Sequence, residues 1–349
     1  MPRTSTSHAE ETVLGHGERP RRIQALVVTN MWPRPDRPGF GTFVESQVRS
    51  LAGVNVETRV HVIEGDRSAF AYAGAIASIR RAVKLWRPDL VHAHFGLAGW
   101  SARYQPVPLV VSLCGDDVLG AVNERGHLTY KSRLTMAMTR AAVHGAAALI
   151  CKSQNLLAAL PPAAQQRAVV IPNGVDLGRF QPGNRAAARA TLGLDPGAEY
   201  VLFPHDRRQP LQKRFALAAE AMQRLQALRP HARLLQVSGE PAERMPDYYR
   251  AANCLLLTSR SEGSPNTVKE ALACELPVVS VDVGDVAHWL TRCGNCRLVR
   301  AEPAALASAL ADVLVLDEPA RADAVLAELD LASVAGRIRD VYDGVLKAA

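Results

Sequence analysis

Two stretches of this 349-residue chain repeat one pattern, in which short apolar runs rich in β-branched residues alternate with helical hydrophobic spacing. Such alternation predicts a parallel sheet with helices on both faces. The length suits two domains of ordinary size better than a single core. The sequence therefore predicts an α/β fold of two Rossmann-like, doubly wound domains. Ligands are expected in the cleft between them, at the carboxyl ends of the strands.

The first domain is predicted over residues 21–171, behind a flexible tail over 1–20. It opens with an apolar strand at 22–29, continues with a loop rich in Pro and Gly, and reaches a helix at 42–51 marked by the spacing of its apolar residues. The same pattern recurs along the rest of the domain. The further predicted elements are a strand at 56–63, a helix at 69–85, and strands at 90–93 and 109–113.

The second domain is predicted over residues 172–332, after a turn-rich hinge with the sequence Ile171-Pro-Asn-Gly-Val-Asp176. Helical segments separate its short apolar strands. These strands are expected at 200–203, 233–237, 254–257 and 277–281. A last helix is expected over 333–349, and its packing back on the first domain is left open.

Positive charge is concentrated in the first domain. The chain has 41 Lys and Arg against 34 Asp and Glu, which gives a formal net charge of +7. Residues 1–170 hold 20 basic against 12 acidic side chains, whereas 171–349 hold 21 against 22. This asymmetry favours an anionic acceptor or peripheral contact with an anionic membrane, and a solvated basic surface is the alternative. No nucleic-acid partner is expected.

The sequence predicts a cytoplasmic location, with or without membrane association. No apolar run reaches the ~20 residues of a membrane helix, and residues 1–20 lack the apolar core of a secretory signal. Six cysteines in a chain of this length fit a reducing compartment better than a disulfide framework. Cys293 and Cys296 form a CxxC, but a structural zinc needs four ligands and no second pair accompanies them. No metal site is expected.

The most informative stretch is Ser261-Glu-Gly-Ser-Pro-Asn-Thr-Val-Lys-Glu270, directly after a predicted strand. Ser264 is the predicted N-cap and Pro265 the first helical residue, so that a helix begins inside the stretch. Free backbone N–H groups and the helix dipole favour an anion there, and Gly263 would let a phosphate approach closely. The residues predicted to form this phosphate site are Gly263, Ser264, Pro265, Asn266 and Thr267.

Two carboxylates lie on either side of this helix start. Glu262 precedes it and Glu270 lies about two turns into it, so they can meet opposite ends of an extended ligand. Carboxylates accept hydrogen bonds from sugar hydroxyls. The alternative is that Glu262 caps the helix and Glu270 is solvated.

The Glu-x7-Glu spacing resembles the retaining GT-B glycosyltransferases of family 4, and the carboxyl half resembles most closely the teichuronic-acid-type subgroup. The resemblance covers most of the chain. It implies that Glu270 holds the ribose of a nucleotide-sugar donor and that Glu262 reaches the transferred sugar.

Two further segments carry the same resemblance. Arg208-Gln-Pro-Leu-Gln-Lys213 looks like the family's Arg-x4-Lys element, which implies that Arg208 and Lys213 clamp the donor diphosphate. Either Arg207 or Arg214 could take the place of one of these cations. Gly39-Phe-Gly41 is similar to the family's glycine loop, which implies a place for Gly41 beside the donor phosphates and for Gly39 beside the acceptor.

The resemblance places the acceptor on the first domain. Asp89-Leu-Val-His-Ala-His94 is similar to the family's strand ending in a His pair, and on a strand His92 and His94 share one face. These histidines are either buried structural groups or substrate ligands. The acceptor-side residues that the resemblance implies are Gly39, His94, Asp116 and Asp117.

Two positions depart from the family's pattern. Many relatives carry His before Gly-x-Asp, whereas this chain has Cys114-Gly-Asp-Asp117, which would shift acceptor binding toward Asp116 or Asp117. His288 stands where relatives usually have Glu, which leaves the role of that loop undetermined.

The function implied is a retaining hexosyltransferase that moves a sugar from a nucleotide diphosphate sugar, most commonly a UDP-sugar, to an acceptor hydroxyl. The acceptor would be a sugar, a lipid-linked sugar or a small molecule in polysaccharide, glycolipid or natural-product biosynthesis. No cofactor or metal is implied, because cationic side chains can stabilise the leaving diphosphate. The catalytic residues implied are Glu262, Lys213, Arg208, His94 and Asp117. The alternatives are a nucleotide-sugar epimerase on the same scaffold and a catalytically weak partner subunit.

Overall fold

The computed structural model describes residues 21–65, 70–121, 127–204 and 210–349, with the backbone alone at 210 and 211. Two parallel sheets carry the fold, which confirms the predicted α/β class. The first has six strands in the spatial order β2-β1-β3-β4-β5-β6. These strands are β1 Ile23–Thr29, β2 Val56–Val62, β3 Leu90–His94, β4 Leu109–Leu113, β5 Ala148–Cys151 and β6 Ala168–Val170.

Seven helices and a short 3-10 helix at Leu51–Val54 accompany the first sheet within the described residues. The helices are α1 Thr42–Ser50, α2 Phe70–Trp86, α3 Gly96–Ala102, α4 Asp116–Leu119, α5 Tyr130–Gly145, α6 Gln154–Ala158 and α7 Pro162–Gln165. Alternate residues of β1 enter different cores, because successive side chains of a strand point to opposite faces. Leu26 and Val28 pack with α2 and α3, whereas Ile23 and Ala25 pack under the last helix of the chain.

The second sheet has five strands in the order β11-β10-β9-β7-β8. These strands are β7 Glu199–Pro204, β8 Ala232–Val237, β9 Cys254–Leu257, β10 Val278–Val281 and β11 Arg297–Val299. The remaining helices are α8 Arg185–Leu192, α9 Pro210–Lys213, α10 Phe215–Leu228, α11 Met245–Ala251, α12 Asn266–Ala273, α13 Val286–Leu290, α14 Pro303–Leu316, α15 Asp323–Leu329 and α16 Leu331–Ala348, with a 3-10 helix at Ala242–Arg244.

The chain crosses between the two halves twice. It leaves the first half through the segment after β6, and it returns just before α16. The two crossings touch, since the N–H of Val175 donates to the carbonyl of Leu329 over 2.8 Å. Helix α16 then packs on the first sheet through buried residues that include Ile338 and Tyr342.

Three strands were not predicted from the sequence. Strands β6 and β11 have three residues each, which is too short for an alternation pattern to develop. Strand β5 belongs to an apolar run over 141–151 that begins inside α5, so no change of period marks its start.

Candidate active site

A cavity of about 450 Å³ lies between the two halves, where the carboxyl ends of both sheets meet. The first half contributes the glycine loop, and the second half contributes the start of α12 and the loop after β8. Hinge residues form part of its wall. The lining residues used below are Gly39, Gly41, Asp176, Arg179, Lys213, Asn266, Thr267 and Glu270.

The glycine loop closes the cavity from the first half. Gly41 has φ +77°, and a Cβ there would lie 2.3 Å from the carbonyl carbon of Met31, so both conformation and space require glycine. A Cβ on Gly39 would lie 3.6 Å from the carbonyl oxygen of Glu240 in the second half. The loop therefore reaches across the cleft and touches the opposite domain.

Helix α12 begins one residue later than the sequence analysis predicted. Pro265 occupies the N-cap position with φ −68° and ψ 116°, and the first helical residue is Asn266. Ser264 is therefore not the N-cap. Its hydroxyl donates instead to Asp285 Oδ2 at 2.5 Å, because the buried Asp285 needs a donor.

A buried lysine ties α12 to the hinge. Lys269 Nζ donates to Ser264 Oγ at 2.5 Å and to the carbonyl of Asn173 at 2.9 Å. Burial lowers the pKa of Lys269 to about 8, against the attraction of Asp285. Asn173 also donates to the side-chain oxygen of Asn266 at 3.1 Å. Movement of the hinge would therefore displace the start of α12.

Glu270 is half-buried, which rules out the alternative of a solvated carboxylate. Its Oε2 accepts a hydrogen bond of 2.6 Å from the Tyr249 hydroxyl. Burial raises the pKa of Glu270, while the Tyr249 bond and the charges of Arg179 and Lys269 act in the opposite direction. The carboxylate is held firmly and still faces the cavity.

Glu262 pairs with Lys213 rather than capping α12. Lys213 Nζ lies 2.6 Å from Glu262 Oε1, and these side chains are only 18% and 15% exposed. Arg208 and its alternative Arg207 lie outside the described residues. The other alternative, Arg214, donates to the carbonyls of Thr258 and Ser259, which commits its guanidinium to the protein backbone.

Gly263 lies against the first half of the molecule. A Cβ at this position would lie 2.2 Å from the carbonyl oxygen of Cys114. The sequence predicts glycine here for close approach of a phosphate, and the structure adds a different reason. The absence of a side chain lets the loop after β9 meet the loop after β4.

Asp117 is fully buried, and it holds two strand ends together. Its carboxylate accepts N–H bonds from Gly96 at 2.9 Å, Gly115 at 2.8 Å and Cys114 at 3.1 Å. Burial raises its pKa, and these backbone donors oppose the rise. Asp117 was assigned to the acceptor side, but it does not line the cavity.

Asp116 is more accessible than its neighbour. Burial, together with the charges of Asp117 and Glu262, raises the pKa of Asp116 to about 6, and Lys213 opposes this rise. A carboxylate of the first half therefore interacts electrostatically with the Glu262–Lys213 pair of the second.

The two predicted histidines are fully buried. His92 bonds the Tyr342 hydroxyl at 2.6 Å and Ser112 Oγ at 2.8 Å, and burial lowers its pKa to about 3. Both ring nitrogens are occupied, which makes His92 a structural group that anchors α16. His94 packs on the His92 ring and contacts Gln47, and it does not line the cavity.

Sequence reasoning missed four polar residues of this region. Lys152 is buried beside His94 and donates to Gln47 Oε1 at 3.1 Å. A lone lysine directly after the apolar run of β5 was the available signal. Lys269 stood inside the quoted motif, and Arg179 lies three residues beyond the hinge. Tyr249 carried no sequence signal.

The remaining predicted positions lie away from the cavity lining. His288 is exposed on α13, where its ring packs on Trp289. Burial raises the pKa of Cys293 to about 12 and that of Cys296 to about 11. Within the part of the chain that the structure describes, no group of three or more His, Cys, Asp or Glu side chains is arranged to hold a metal ion.

Comparison with known proteins identifies the class. Residues 14–179 match the model for Glycosyltransferase Family 4, and residues 203–315 match the model for Glycosyl transferases group 1. Two parallel-sheet domains with the cavity between them are also the architecture of GT-B glycosyltransferase structures. Sucrose-phosphate synthase from Thermosynechococcus elongatus superposes with a TM-score of 0.75 at 19% identity, over 94% of this chain and all of that one (100%).

Curated relatives establish the family. The putative teichuronic acid biosynthesis glycosyltransferase TuaC of Bacillus subtilis is 30% identical over 76% of this chain and 82% of its own length. The D-inositol 3-phosphate glycosyltransferase of Segniliparus rotundus is 32% identical over 57% of this chain, and the match spans about half (52%) of that relative. The chain belongs to the family 4 glycosyltransferases. Among the helices of the described residues, none is long and apolar enough to cross a membrane.

Proposed function

We propose that this glycosyltransferase takes a sugar from a nucleotide diphosphate donor and transfers it, with retention, to an acceptor hydroxyl. One observation carries the proposal. A single cavity is lined by a cation, by the start of a helix and by a carboxylate, namely Lys213, Asn266 and Glu270. These are groups that suit a diphosphate at one end and a ribose at the other.

A structural neighbour supports the nature of the donor. HepE from Anabaena, solved in complex with UDP and glucose, superposes with a TM-score of 0.64 at 17% identity, over 92% of this chain and all of that one (100%). At this identity the likeness extends to the fold alone. A UDP-sugar is accordingly the first donor to test.

The ion pair between Lys213 and Glu262 suggests how donor binding prepares the reaction. An arriving diphosphate would compete for Lys213 Nζ, and Glu262 would then be free to accept hydrogen bonds from the transferred sugar. As the glycosidic bond breaks, Lys213 and the N–H groups at the start of α12 would stabilise the charge on the leaving diphosphate. A phosphate oxygen on the same face can take the acceptor proton, so retention requires no nucleophilic carboxylate.

The acceptor is proposed to bind from the first half, beside Gly39 and Asp116. His94 and Asp117 are buried. We therefore propose that they support the acceptor-binding surface and do not contact the acceptor themselves. Asp117 would fix the loop that carries Asp116, because it bonds the backbone of Gly115 and Cys114.

Metal independence and a cytoplasmic location are part of the proposal. Activity should survive EDTA, since Lys213 and the helix start would replace a divalent cation. Recovery of a lost activity by Mg²⁺ or Mn²⁺ would contradict this.

The acceptor is proposed to be a surface polysaccharide, glycolipid or natural-product precursor, and contact with an anionic membrane would bring the enzyme to a lipid-linked one. The carboxyl-terminal part of α2 supports such contact. It exposes Leu85 among cationic side chains. These cations are Arg80, Arg81, Lys84 and Arg87. Co-sedimentation with vesicles should then require anionic lipid and weaken as salt is raised.

The proposed function is tested by thermal unfolding with UDP, GDP, ADP and dTDP. A nucleotide present at ~100 times its dissociation constant should stabilise the protein by about 2.7 kcal/mol. Hydrolysis of the matching nucleotide sugar without acceptor, and sugar transfer with one, should follow. Absence of binding by every nucleotide diphosphate would reject the proposal, and conversion of the donor to its epimer would favour the epimerase alternative.

A further inference from the structure

The guanidinium of Arg179 lies in the cavity wall, where part of its hydrogen-bonding capacity is unused within the described residues. Nε and Nη2 are buried, and neither has a hydrogen-bond partner among the residues that the structure describes. The backbone N–H of Arg179 donates to the carbonyl of Asp176, which fixes the turn at the end of the hinge. Buried donors without acceptors are costly and rare in folded proteins. An unpaired guanidinium at the wall of a ligand cavity therefore indicates a ligand oxygen.

Glu270 lines the same cavity close to Arg179. The two side chains interact electrostatically, but they form no ion pair within the described residues. Glu270 Oε2 is occupied by Tyr249, whereas no hydrogen bond to Oε1 is formed by the described part of the chain. A donor group and an acceptor group thus border one space without contacting each other.

Aromatic rings hold both groups in place from behind. The Arg179 guanidinium carbon lies 5.2 Å from the centre of the Phe180 ring, and this ring packs edge-on against Tyr249 with 5.9 Å between centres. Tyr249 in turn bonds Glu270. The positions of the guanidinium and the carboxylate are therefore set by one connected cluster rather than by two independent loops.

The chemistry of the pair favours a hydroxyl over an anion. A phosphate would suit Arg179 but would be repelled by the neighbouring Glu270. A sugar hydroxyl suits both, because it donates its hydrogen to a carboxylate and accepts one from a guanidinium. Resting on the proposed function, we infer that Arg179 is a second ribose ligand, which acts with Glu270 to select ribonucleotide over deoxyribonucleotide donors.

The experiment compares nucleotide affinities by calorimetry. UDP, GDP and ADP are titrated first, followed by the 2′-deoxy and 3′-deoxy forms of the one that binds. The wild type should bind the ribonucleotide at least about tenfold more tightly than one of the deoxy forms, since that form leaves a buried donor unpaired. Arg179→Met should lose about tenfold in affinity for the ribonucleotide and less than about twofold for that deoxy form. The ribonucleotide affinity of Arg179→Lys should lie between those of the wild type and Arg179→Met.

Two controls separate recognition from folding. Arg224→Met removes an exposed arginine from α10 and should leave every affinity unchanged. Thermal unfolding without nucleotide checks that the Arg179 variants fold. Equal loss of ribo and deoxy affinity in Arg179→Met, or an undiminished preference for the ribo form, would overturn the inference while leaving the proposed function intact. Failure of the wild type to bind any nucleotide would reject the proposed function itself.

Discussion

The two halves of the molecule share one architecture and use the carboxyl ends of their strands differently. In the first half His92 and Asp117 are fully buried there, and they bond other side chains or the backbone. In the second half Lys213 and Glu270 are held from behind but face the cavity. The same strand–loop–helix position thus serves as a structural support in one domain and as a cavity wall in the other.

This difference bears on how specificity is distributed. A buried network such as that of Asp117 tolerates little change, because loss of one acceptor leaves several backbone N–H groups unpaired. Groups that face the cavity can be exchanged at less cost to the fold. We therefore expect mutations of cavity-facing groups in the second half to act on donor binding, and mutations of buried groups in the first half to act on stability and on transfer.

The largest expected effect is on transfer, from Lys213→Ala. Removal of this cation should lower the turnover number by about 10² to 10³, by analogy with loss of one donor that stabilises a developing negative charge. Nucleotide affinity by calorimetry should fall as well. Lys347→Ala, which removes an exposed lysine near the end of α16, is the matched control. Normal turnover by the Lys213→Ala enzyme would show that Lys213 does not stabilise the leaving diphosphate.

Next comes Asp117→Asn, which tests the supporting role of the first half. The amide places N–H groups opposite backbone N–H groups, so the free energy of unfolding should fall by about 2–3 kcal/mol. Transfer should weaken, while nucleotide affinity of the folded protein stays within about twofold. Denaturant unfolding and calorimetry measure the two quantities, with Asp323→Asn on the exposed surface of α15 as control. Loss of nucleotide affinity without loss of stability would show that Asp117 acts in donor binding and not as a structural support.

Gly263→Ala tests the contact between the two halves, where the loop after β9 meets the loop after β4. The added methyl group would lie 2.2 Å from the carbonyl oxygen of Cys114, so the loops must separate. Transfer should fall by about tenfold, because small displacements of reacting groups are costly, whereas nucleotide affinity should change little. Gly336→Ala in α16, where nothing lies within 4 Å of the new atom, should be neutral or slightly stabilising. Equal transfer rates for the two variants would show that this contact is irrelevant to the reaction.

The fold was predictable because it depends on patterns within short segments. Strands β4 and β9 occur at the predicted residues, since each is a short, mostly apolar run. The stretch over residues 261–270 was also recognisable as a motif, because its residues are adjacent in sequence. What the sequence could not predict depends on contacts between distant segments. The pairing of His92 with Tyr342 joins residues 250 positions apart, and the burial of Asp117 depends on the backbone of Gly96.

Residue type alone gave the wrong N-cap for helix α12. Ser before Pro is a common N-cap pattern, but Ser264 is drawn to Asp285 and Lys269, both of which are buried polar groups in need of a partner. A tertiary hydrogen bond therefore outweighed a local capping preference. Arg179 was overlooked for the related reason that an arginine beside a turn carries no sign of burial.

The smallest expected effect is a pH-dependent gain in stability from Asp116→Asn. The pKa of Asp116 is raised from 3.8 to about 6, so above pH 6 the folded protein holds a charged carboxylate that burial and its acidic neighbours disfavour. A raised carboxyl pKa means that the folded state binds more protons than the unfolded one between these values, and the electrostatic cost of the charged Asp116 is relieved as pH falls.

Asp116→Asn should therefore raise the free energy of unfolding by about 1 kcal/mol at pH 8, after allowance for solvent screening, and by almost nothing near pH 4. Denaturant unfolding at both pH values measures the difference, with the exposed Asp340→Asn as the control for lost charge. Transfer should weaken in the same variant, because Asp116 is proposed to lie beside the acceptor. A stability difference that is independent of pH, or a loss of stability at pH 8, would show that Asp116 is held by a partner rather than disfavoured in the cleft.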